Sequence, residues 1–206
     1  MTLHTLVLGA IATNCYLLED AGEMAVIDPA MPAPELFDLV DSLGGKLKYI
    51  LLTHGHFDHI LGVAALKARY PEAVIAIHPA DADCLHDPQK SLLSRHFSGT
   101  VENTYADKLL RDEDRLPFGA DALHVLHTPG HTPGSVCCLW EGDKRIFSGD
   151  TLFCDGYGRV DFPGGSLTTL RHSLQRLANL PGDWRVYPGH EEETTLAQER
   201  GMIART

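Results

Sequence analysis

The chain has 206 residues, of which 44% are hydrophobic and 22% are charged, and its formal net charge is −11. A chain of this length can bury one sizeable core, so we expect a single domain over residues 1–206. The acidic balance argues against a nucleic-acid partner, and no apolar run approaches the roughly 18 residues of a membrane span.

The cysteines and the N-terminus indicate where the protein resides. Five cysteines show neither zinc-ribbon nor disulfide-framework spacing, and two of them, Cys137 and Cys138, are adjacent. The N-terminus has no basic segment ahead of an apolar stretch, so we expect no signal peptide. These features predict reduced thiols and a cytoplasmic protein.

Predicted strands and helices alternate along the chain. Strands are predicted at 2–8, 14–19, 24–28, 48–53, 73–77, 121–127, 135–140, 145–149 and 184–188. Helices are predicted at 33–44, 60–70 and 166–179. Asp20-Ala21-Gly22 predicts a hairpin turn, and residues 86–119 predict an insertion of loops and a short helix. This alternation, with hairpins, predicts a mixed α/β fold.

One run of residues is unusually rich in metal-binding side chains. Thr53-His54-Gly55-His56-Phe57-Asp58-His59 follows a buried strand directly. In an extended segment His54, His56 and Asp58 alternate toward one face, while His59 can point to a second position. Imidazole and carboxylate are ligands that zinc, iron and manganese accept. The run therefore predicts a metal site.

Three further candidate ligands lie in tight turns or at strand ends. His131 is flanked by two Pro-Gly steps, Asp150 ends an apolar strand, and His190 follows Pro188-Gly189. His127, at the end of a predicted strand, is the rival of His131. With the four residues of the run, these side chains are enough for two metal ions.

The loop at 53–59, followed along the chain by His131, Asp150 and His190, resembles the metallo-β-lactamase fold superfamily. The resemblance covers nearly the whole chain. The resemblance implies an α/β fold of the αββα type, a four-layer sandwich with two sheets between outer helices. His59 directly after Asp58 is similar to the dinuclear hydrolases of the glyoxalase II group. The chain thus resembles a short, single-domain glyoxalase II-like (hydroxyacylglutathione hydrolase-like) protein.

The resemblance also implies the roles of the site residues. The first ion would be held by His54, His56 and His131, the second by Asp58, His59 and His190, and both by a bridging Asp150. The cofactors would be two divalent ions, with zinc as the first choice and iron or manganese as alternatives. The implied reaction is hydrolysis of a thioester such as S-lactoylglutathione by a metal-bound hydroxide. Asp58 would be the catalytic residue that orients the nucleophile.

The glycine-rich segment 156–165 supplies the candidate substrate contacts. It resembles the loop of short glyoxalase II-like proteins and the Gly-Arg-x-Asp-Phe stretch of persulfide dioxygenases. We expect Tyr157 and Arg159 to bind substrate, Arg159 by pairing with a carboxylate. The alternative for Arg159 is a structural ion pair with Asp161.

Larger glyoxalase II enzymes contact glutathione with more than this segment. They use tyrosines that are matched here by Asp161 and Glu192, and a C-terminal helical domain. Because the chain ends at Thr206, shortly after His190, we expect that domain to be absent. The resemblance therefore predicts the acyl chemistry and leaves the thiol carrier open.

Two other activities are compatible with the same motifs. In a mononuclear iron persulfide dioxygenase, His54, His131 and Asp150 would hold the iron. A lactone or ester hydrolase would use the dinuclear site. In each case we expect a small-molecule substrate, and a homo-oligomer is compatible with the sequence. Apolar residues of the insertion, Leu92, Leu93 and Phe97, are candidates for the pocket wall or a dimer contact.

Overall fold

The computed structural model describes residues 1–96 and 102–206, and these residues form two six-stranded sheets and a short ribbon. The first sheet has the strand order β1-β2-β3-β4-β5-β6. Its strands are β1 (Thr2–Leu8), β2 (Thr13–Asp20), β3 (Glu23–Ile27), β4 (Lys46–Leu51), β5 (Val74–Ile77) and β6 (Lys108–Leu109). Strands β1 to β3 pair antiparallel, and β3 to β6 pair parallel. The predicted hairpin between β2 and β3 is confirmed, with φ of 47° at Ala21 and 80° at Gly22.

The second sheet is mostly antiparallel. Its first four strands are β7 (Arg115–Phe118), β8 (Asp121–His127), β9 (Val136–Trp140) and β10 (Arg145–Gly149). A two-stranded ribbon follows, β11 (Leu152–Phe153) with β12 (Gly156–Tyr157), and then β13 (Arg185–Pro188) and β14 (Thr194–Thr195). The order is β14-β13-β10-β9-β8-β7, and β10 with β13 is its parallel pair.

Helices cover the outer faces of both sheets. The described α-helices are α1 (Pro34–Leu43), α2 (Phe57–Ile60), α3 (Val63–Arg69), α4 (Leu93–His96), α5 (Leu167–Ala178) and α6 (Leu196–Ile203), and a 3-10 helix spans Pro79–Leu85. Apolar side chains of α1, α2 and α3 pack on the first sheet, and those of α5 and α6 pack on the second. A third cluster fills the space between the sheets. The predicted αββα four-layer sandwich is therefore confirmed.

Successive side chains of a strand point to opposite faces of its sheet, and this explains why several strands appear in the sequence as continuous apolar runs. Leu17 of β2 faces the helices, whereas Leu18 faces the second sheet. In β9, Cys137 faces α5 and the adjacent Cys138 faces the first sheet. Both faces of each sheet are buried, so apolar residues are needed at successive positions. All five cysteines are free. Every described helix is too short or too polar to span a bilayer.

The helix predicted at 60–70 is wrong in its bounds, because two helices, α2 and α3, occupy this stretch. Gly62 lies at the break and packs against the backbone carbonyls of Pro29 and Met31, where a side chain would collide. His59, which precedes the predicted helix, lies inside α2. The β3–α1 connection therefore packs against the chain at Gly62 and separates α2 from α3, although the apolar spacing of the sequence is continuous there.

Other elements were missed because their signals are short or unusual. The predicted insertion at 86–119 also contains β6, with two residues, and β7, an edge strand that tolerates Pro117. Helix α6 has little amphipathic pattern, but Thr195 and Gln198 form a capping box at its start. That box was a readable signal.

Candidate metal centre

The candidate ligands converge at one edge of the sandwich, where strands of both sheets end. The loop after β4 carries His54 and His56 and leads into α2, which carries Asp58 and His59. His131 lies between β8 and β9, Asp150 directly follows β10, and His190 follows β13. The structure thus brings all seven predicted residues together at the position that strand ends provide for ligands.

Three histidines form the first group. Nδ1 of His56 lies 3.0 Å from Nε2 of His54 and 2.9 Å from Nε2 of His131. All three side chains are buried, with their facing nitrogens within 4.8 Å of one another. Three imidazole nitrogens directed at one point form a donor set suited to a transition metal.

The second group joins Asp58, His59 and His190. Nε2 of His59 lies 3.3 Å from Nε2 of His190, which is 3.2 Å from Oδ2 of Asp58. The facing atoms of the three residues again lie within 4.8 Å of one another. This set could hold a second ion.

Asp150 lies between the two groups and faces both. Its Oδ2 is 3.5 Å from Nε2 of His131, and its Oδ1 is 3.4 Å from Nε2 of His59 and 3.8 Å from Nε2 of His190. Oδ1 is buried without a hydrogen-bond partner among the described residues. A buried oxygen without a donor is costly, and a cation between the groups would satisfy it.

Hydrogen bonds outside the cluster orient its imidazoles. Asp28 Oδ2 accepts from Nδ1 of His59 at 3.0 Å and from Oγ1 of Thr53 at 2.6 Å. Because the Thr53 hydroxyl donates to Asp28, it accepts from Nδ1 of His54 at 3.2 Å. Nδ1 of His131 donates to the carbonyl of Arg159 at 2.7 Å. The three imidazole bonds engage Nδ1 of His54, His59 and His131 and leave Nε2 as the atom that faces the cluster, as metal binding requires.

The electrostatic setting differs between the two groups. Burial and the neighbouring imidazoles lower the pKa of His54 well below its ordinary value and that of His56 to about 3. Burial opposes charge on His59 as well, but Asp58, Asp150 and Asp28 outweigh it and raise its pKa to about 10. Neutral imidazoles at His54 and His56 suit ligation, and the carboxylates around His59 favour positive charge there.

A cavity of about 430 Å³ opens over the centre. Tyr157 and Arg159 line it, together with Leu92 of the insertion. The predicted alternative for Arg159, an ion pair with Asp161, is also present. The Asp161 carboxylate accepts hydrogen bonds from Nε and Nη2 of Arg159, each at 2.6 Å. The guanidinium stacks 4.1 Å from the ring centroid of Phe162. Phe97, named as a pocket candidate, lies outside the described residues.

The rival ligand His127 is not in the cluster. Its ring stacks on His78 with centroids 4.0 Å apart, and its Nε2 donates to the carbonyl of Pro133 at 2.9 Å. Sequence reasoning also missed the supporting residues Asp28 and Thr53. Asp28 is the last residue of the strand predicted at 24–28, and nothing else in the sequence around it indicates a role in the site. The φ of 51° at Asp28 shows a constrained backbone that no local pattern indicated.

Known proteins with similar sequences cover nearly the whole chain. The family model for the metallo-beta-lactamase superfamily matches residues 8–190. Hydroxyacylglutathione hydrolase GloC of Haemophilus influenzae is 32% identical over 203 residues, which are 97% of this chain and 95% of that protein. The mitochondrial persulfide dioxygenase ETHE1 of Homo sapiens is 34% identical over 201 residues, which are 94% of this chain and 71% of that protein.

Solved structures agree in fold. The BLEG-1 B3 metallo-beta-lactamase superposes with a TM-score of 0.91 at 35% identity, covering 97% of each chain. The protein TTHA1623, solved in a di-iron-bound form, superposes with a TM-score of 0.85 at 36% identity, covering 95% of this chain and 96% of that one. By sequence, by fold and by the family model that matches it, the chain belongs to the metallo-beta-lactamase superfamily.

Proposed function

We propose that this protein is a metal-dependent hydrolase that cleaves thioesters such as S-lactoylglutathione. The observation that carries this proposal is the position of Asp150 between two groups of three ligands, with His59 completing the second group. The similarity to hydroxyacylglutathione hydrolase GloC supports the substrate class. The proposal includes a single catalytic domain over residues 1–206 in the cytoplasm.

The residues present fit two divalent ions. His54, His56 and His131 would hold the first, Asp58, His59 and His190 the second, and Asp150 would contact both. Zinc is the first choice for this nitrogen and oxygen donor set, and iron and manganese are the alternatives. When bound, such ions lower the pKa of water toward 7 and polarise a carbonyl oxygen.

The protein's own groups would position the reaction. Asp58 Oδ2 accepts from Thr13 Oγ1 at 3.3 Å and lies 3.2 Å from His190, so its carboxylate is held at the floor of the cavity. From there Asp58 can orient the attacking water. Tyr157 and Arg159 form the wall where the thiol carrier would lie, and Arg159 can attract a carboxylate. A thiolate is a good leaving group, so the site needs no strong general acid.

The test is thiol release from S-lactoylglutathione by protein reconstituted separately with zinc, iron and manganese. We expect turnover well above that of the metal-free protein, with close to two ions bound per chain. Asp58→Ala and Asp150→Ala should lose activity and metal while remaining folded. Full activity with normal metal content in either variant would contradict these assignments.

A persulfide dioxygenase is the second candidate. The similarity to ETHE1 favours it, and so does the resemblance of the Gly158-Arg159-Val160-Asp161-Phe162 stretch to the corresponding loop of persulfide dioxygenases. In that case one iron would be held by His54, His131 and Asp150. Oxygen uptake with glutathione persulfide on the iron-loaded protein, without thiol release from the thioester, would establish this activity instead.

A further inference from the structure

A second cavity, of about 320 Å³, opens beside the metal centre at Asp58. Its wall is built from apolar side chains of the β1–β2 loop, the β3–α1 connection, α2 and α4. The residues concerned are Ala10, Ile11, Met31, Phe57, Leu61 and Leu93. Ile11, Phe57 and Asp58 also line the main cavity, so the two spaces meet at the candidate nucleophile-orienting residue.

The second cavity offers little to a polar ligand. Within the described residues, its polar side chains are Thr13 and Asp58. Thr13 Oγ1 donates to Asp58 Oδ2, and the same oxygen faces His190, so these atoms are engaged with each other and with the centre. A group entering this space would therefore meet an almost entirely apolar surface and gain by leaving water.

The rim of this cavity carries exposed apolar side chains as well. Ile11 is 45% exposed and Met31 is 38% exposed, and both belong to the few large apolar side chains with high exposure among the described residues. Apolar surface beside a pocket commonly marks a place that a ligand covers. The main cavity differs in that it is also lined by Arg159, by His131 and His190 and by the carboxylate of Asp150.

We propose that the second cavity binds the apolar acyl chain of the thioester, so the preferred substrates carry acyl chains of roughly four to eight carbons. The polar thiol carrier would lie in the main cavity toward Arg159, and the thioester carbonyl would lie at Asp58, where the cavities meet. This inference rests on the proposed thioesterase function and names its substrate class.

The experiment compares S-acetyl-, S-butanoyl-, S-hexanoyl- and S-octanoylglutathione as substrates of the metal-reconstituted protein. Each methylene that the cavity buries should raise kcat/KM by up to about fourfold, and this increase should stop once the cavity is filled. Ala10→Trp fills the cavity from an exposed loop position and should remove most of this length preference. Val7→Trp is the matched control, because Val7 is 64% exposed and lines neither cavity.

Binding provides a readout that does not depend on turnover. S-octylglutathione should bind the reconstituted protein more tightly than S-methylglutathione in calorimetry, and Ala10→Trp should reduce that difference while Val7→Trp keeps it. Thiol release that is independent of acyl length, with equal binding of both thioethers, would overturn the acyl pocket and leave the thioesterase function standing. A thioether preference without any thiol release would retain the apolar pocket and overturn the thioesterase function.

Discussion

The carboxylate of Asp81 accepts a hydrogen bond from the backbone N–H of Gly55, at 3.0 Å, between two candidate metal ligands. The same carboxylate accepts from Thr132 Oγ1 at 2.7 Å and from the N–H of Gly134 at 2.9 Å. Asp81 is 3% exposed. One buried side chain therefore joins the loop of His54 and His56 to the loop of His131, which lies more than 70 residues further along the chain.

Replacing Asp81 should weaken both loops at once. Asp81→Ala leaves two backbone N–H groups without their acceptor in the interior, and we expect a loss of about 2–4 kcal/mol in the free energy of unfolding. Asp81→Asn keeps one acceptor oxygen and should lose less. Urea unfolding and metal content measure the two effects. Asp83→Ala, an exposed neighbour paired with Lys90, is the control. Wild-type stability and metal content in Asp81→Ala would refute the role.

Thr53→Val should reduce metal affinity without disturbing the fold. The substitution keeps the shape of the side chain but removes the hydroxyl between His54 Nδ1 and Asp28. Loss of such an orienting partner typically costs about tenfold to hundredfold in metal affinity. Competition with a chromophoric chelator measures this. Thr5→Val, at an exposed position of β1, should bind metal as the wild type does. Equal affinities of both variants would show that the hydroxyl does not orient His54.

Removing metal should lower thermal stability. Ions that bind only the folded state stabilise it by about 4 kcal/mol when present at a thousand times their Kd. Thermal unfolding with and without a chelator should show this shift, and added zinc should restore the original midpoint. Magnesium should not restore it, because magnesium prefers oxygen ligands. An unchanged midpoint after complete metal removal would show that the cluster holds no tightly bound ion.

Asp161 should compete with the substrate for Arg159. Both side chains of this ion pair are more than half exposed. Asp161→Asn frees the guanidinium and should lower KM for an anionic thioester, whereas Arg159→Ala should raise KM roughly fivefold with little change in kcat. Initial rates at low and high salt provide the check, since both effects should shrink as salt screens the charges. Equal KM values in Asp161→Asn and Arg159→Ala would show that Arg159 does not contact the substrate.

The pH dependence of stability should reflect a contact between the sheets. Asp20 accepts from the N–H of Ala120 at 2.8 Å, and this bond lowers the carboxyl pKa below its ordinary value of 3.8. A depressed pKa in the folded state adds stability above pH 3.8, which is lost as the pH falls through the folded pKa. Asp20→Asn should therefore show a shallower loss of unfolding free energy in acid than the wild type. Urea unfolding at several acidic pH values measures this slope, and the same slope in Asp20→Asn and the wild type would show that this contact contributes nothing to the pH dependence.

Much of the fold was readable because its signals are local. The hairpin turn at Ala21 and Gly22 has positive φ angles, which glycine adopts readily, so its sequence indicates a turn. The strands that lead to the ligands are short apolar runs in the sequence. The metal-binding side chains from His54 to His59 lie within one run, so their chemistry was evident without any tertiary information. The order of this run, His131, Asp150 and His190 along the chain predicted the family.

The rest depended on contacts between distant segments. His127 and His131 are both plausible ligands in sequence, and only the packing of the β8–β9 loop places His131 against His56. Only the tertiary structure reveals the roles of Asp28 and Asp81. Both lie outside every motif and act through hydrogen bonds to other loops. The sequence by itself determined which donor atoms are available. Tertiary structure decided which of their lone pairs face a common point, because loops from both sheets must meet before any of these orienting bonds can form.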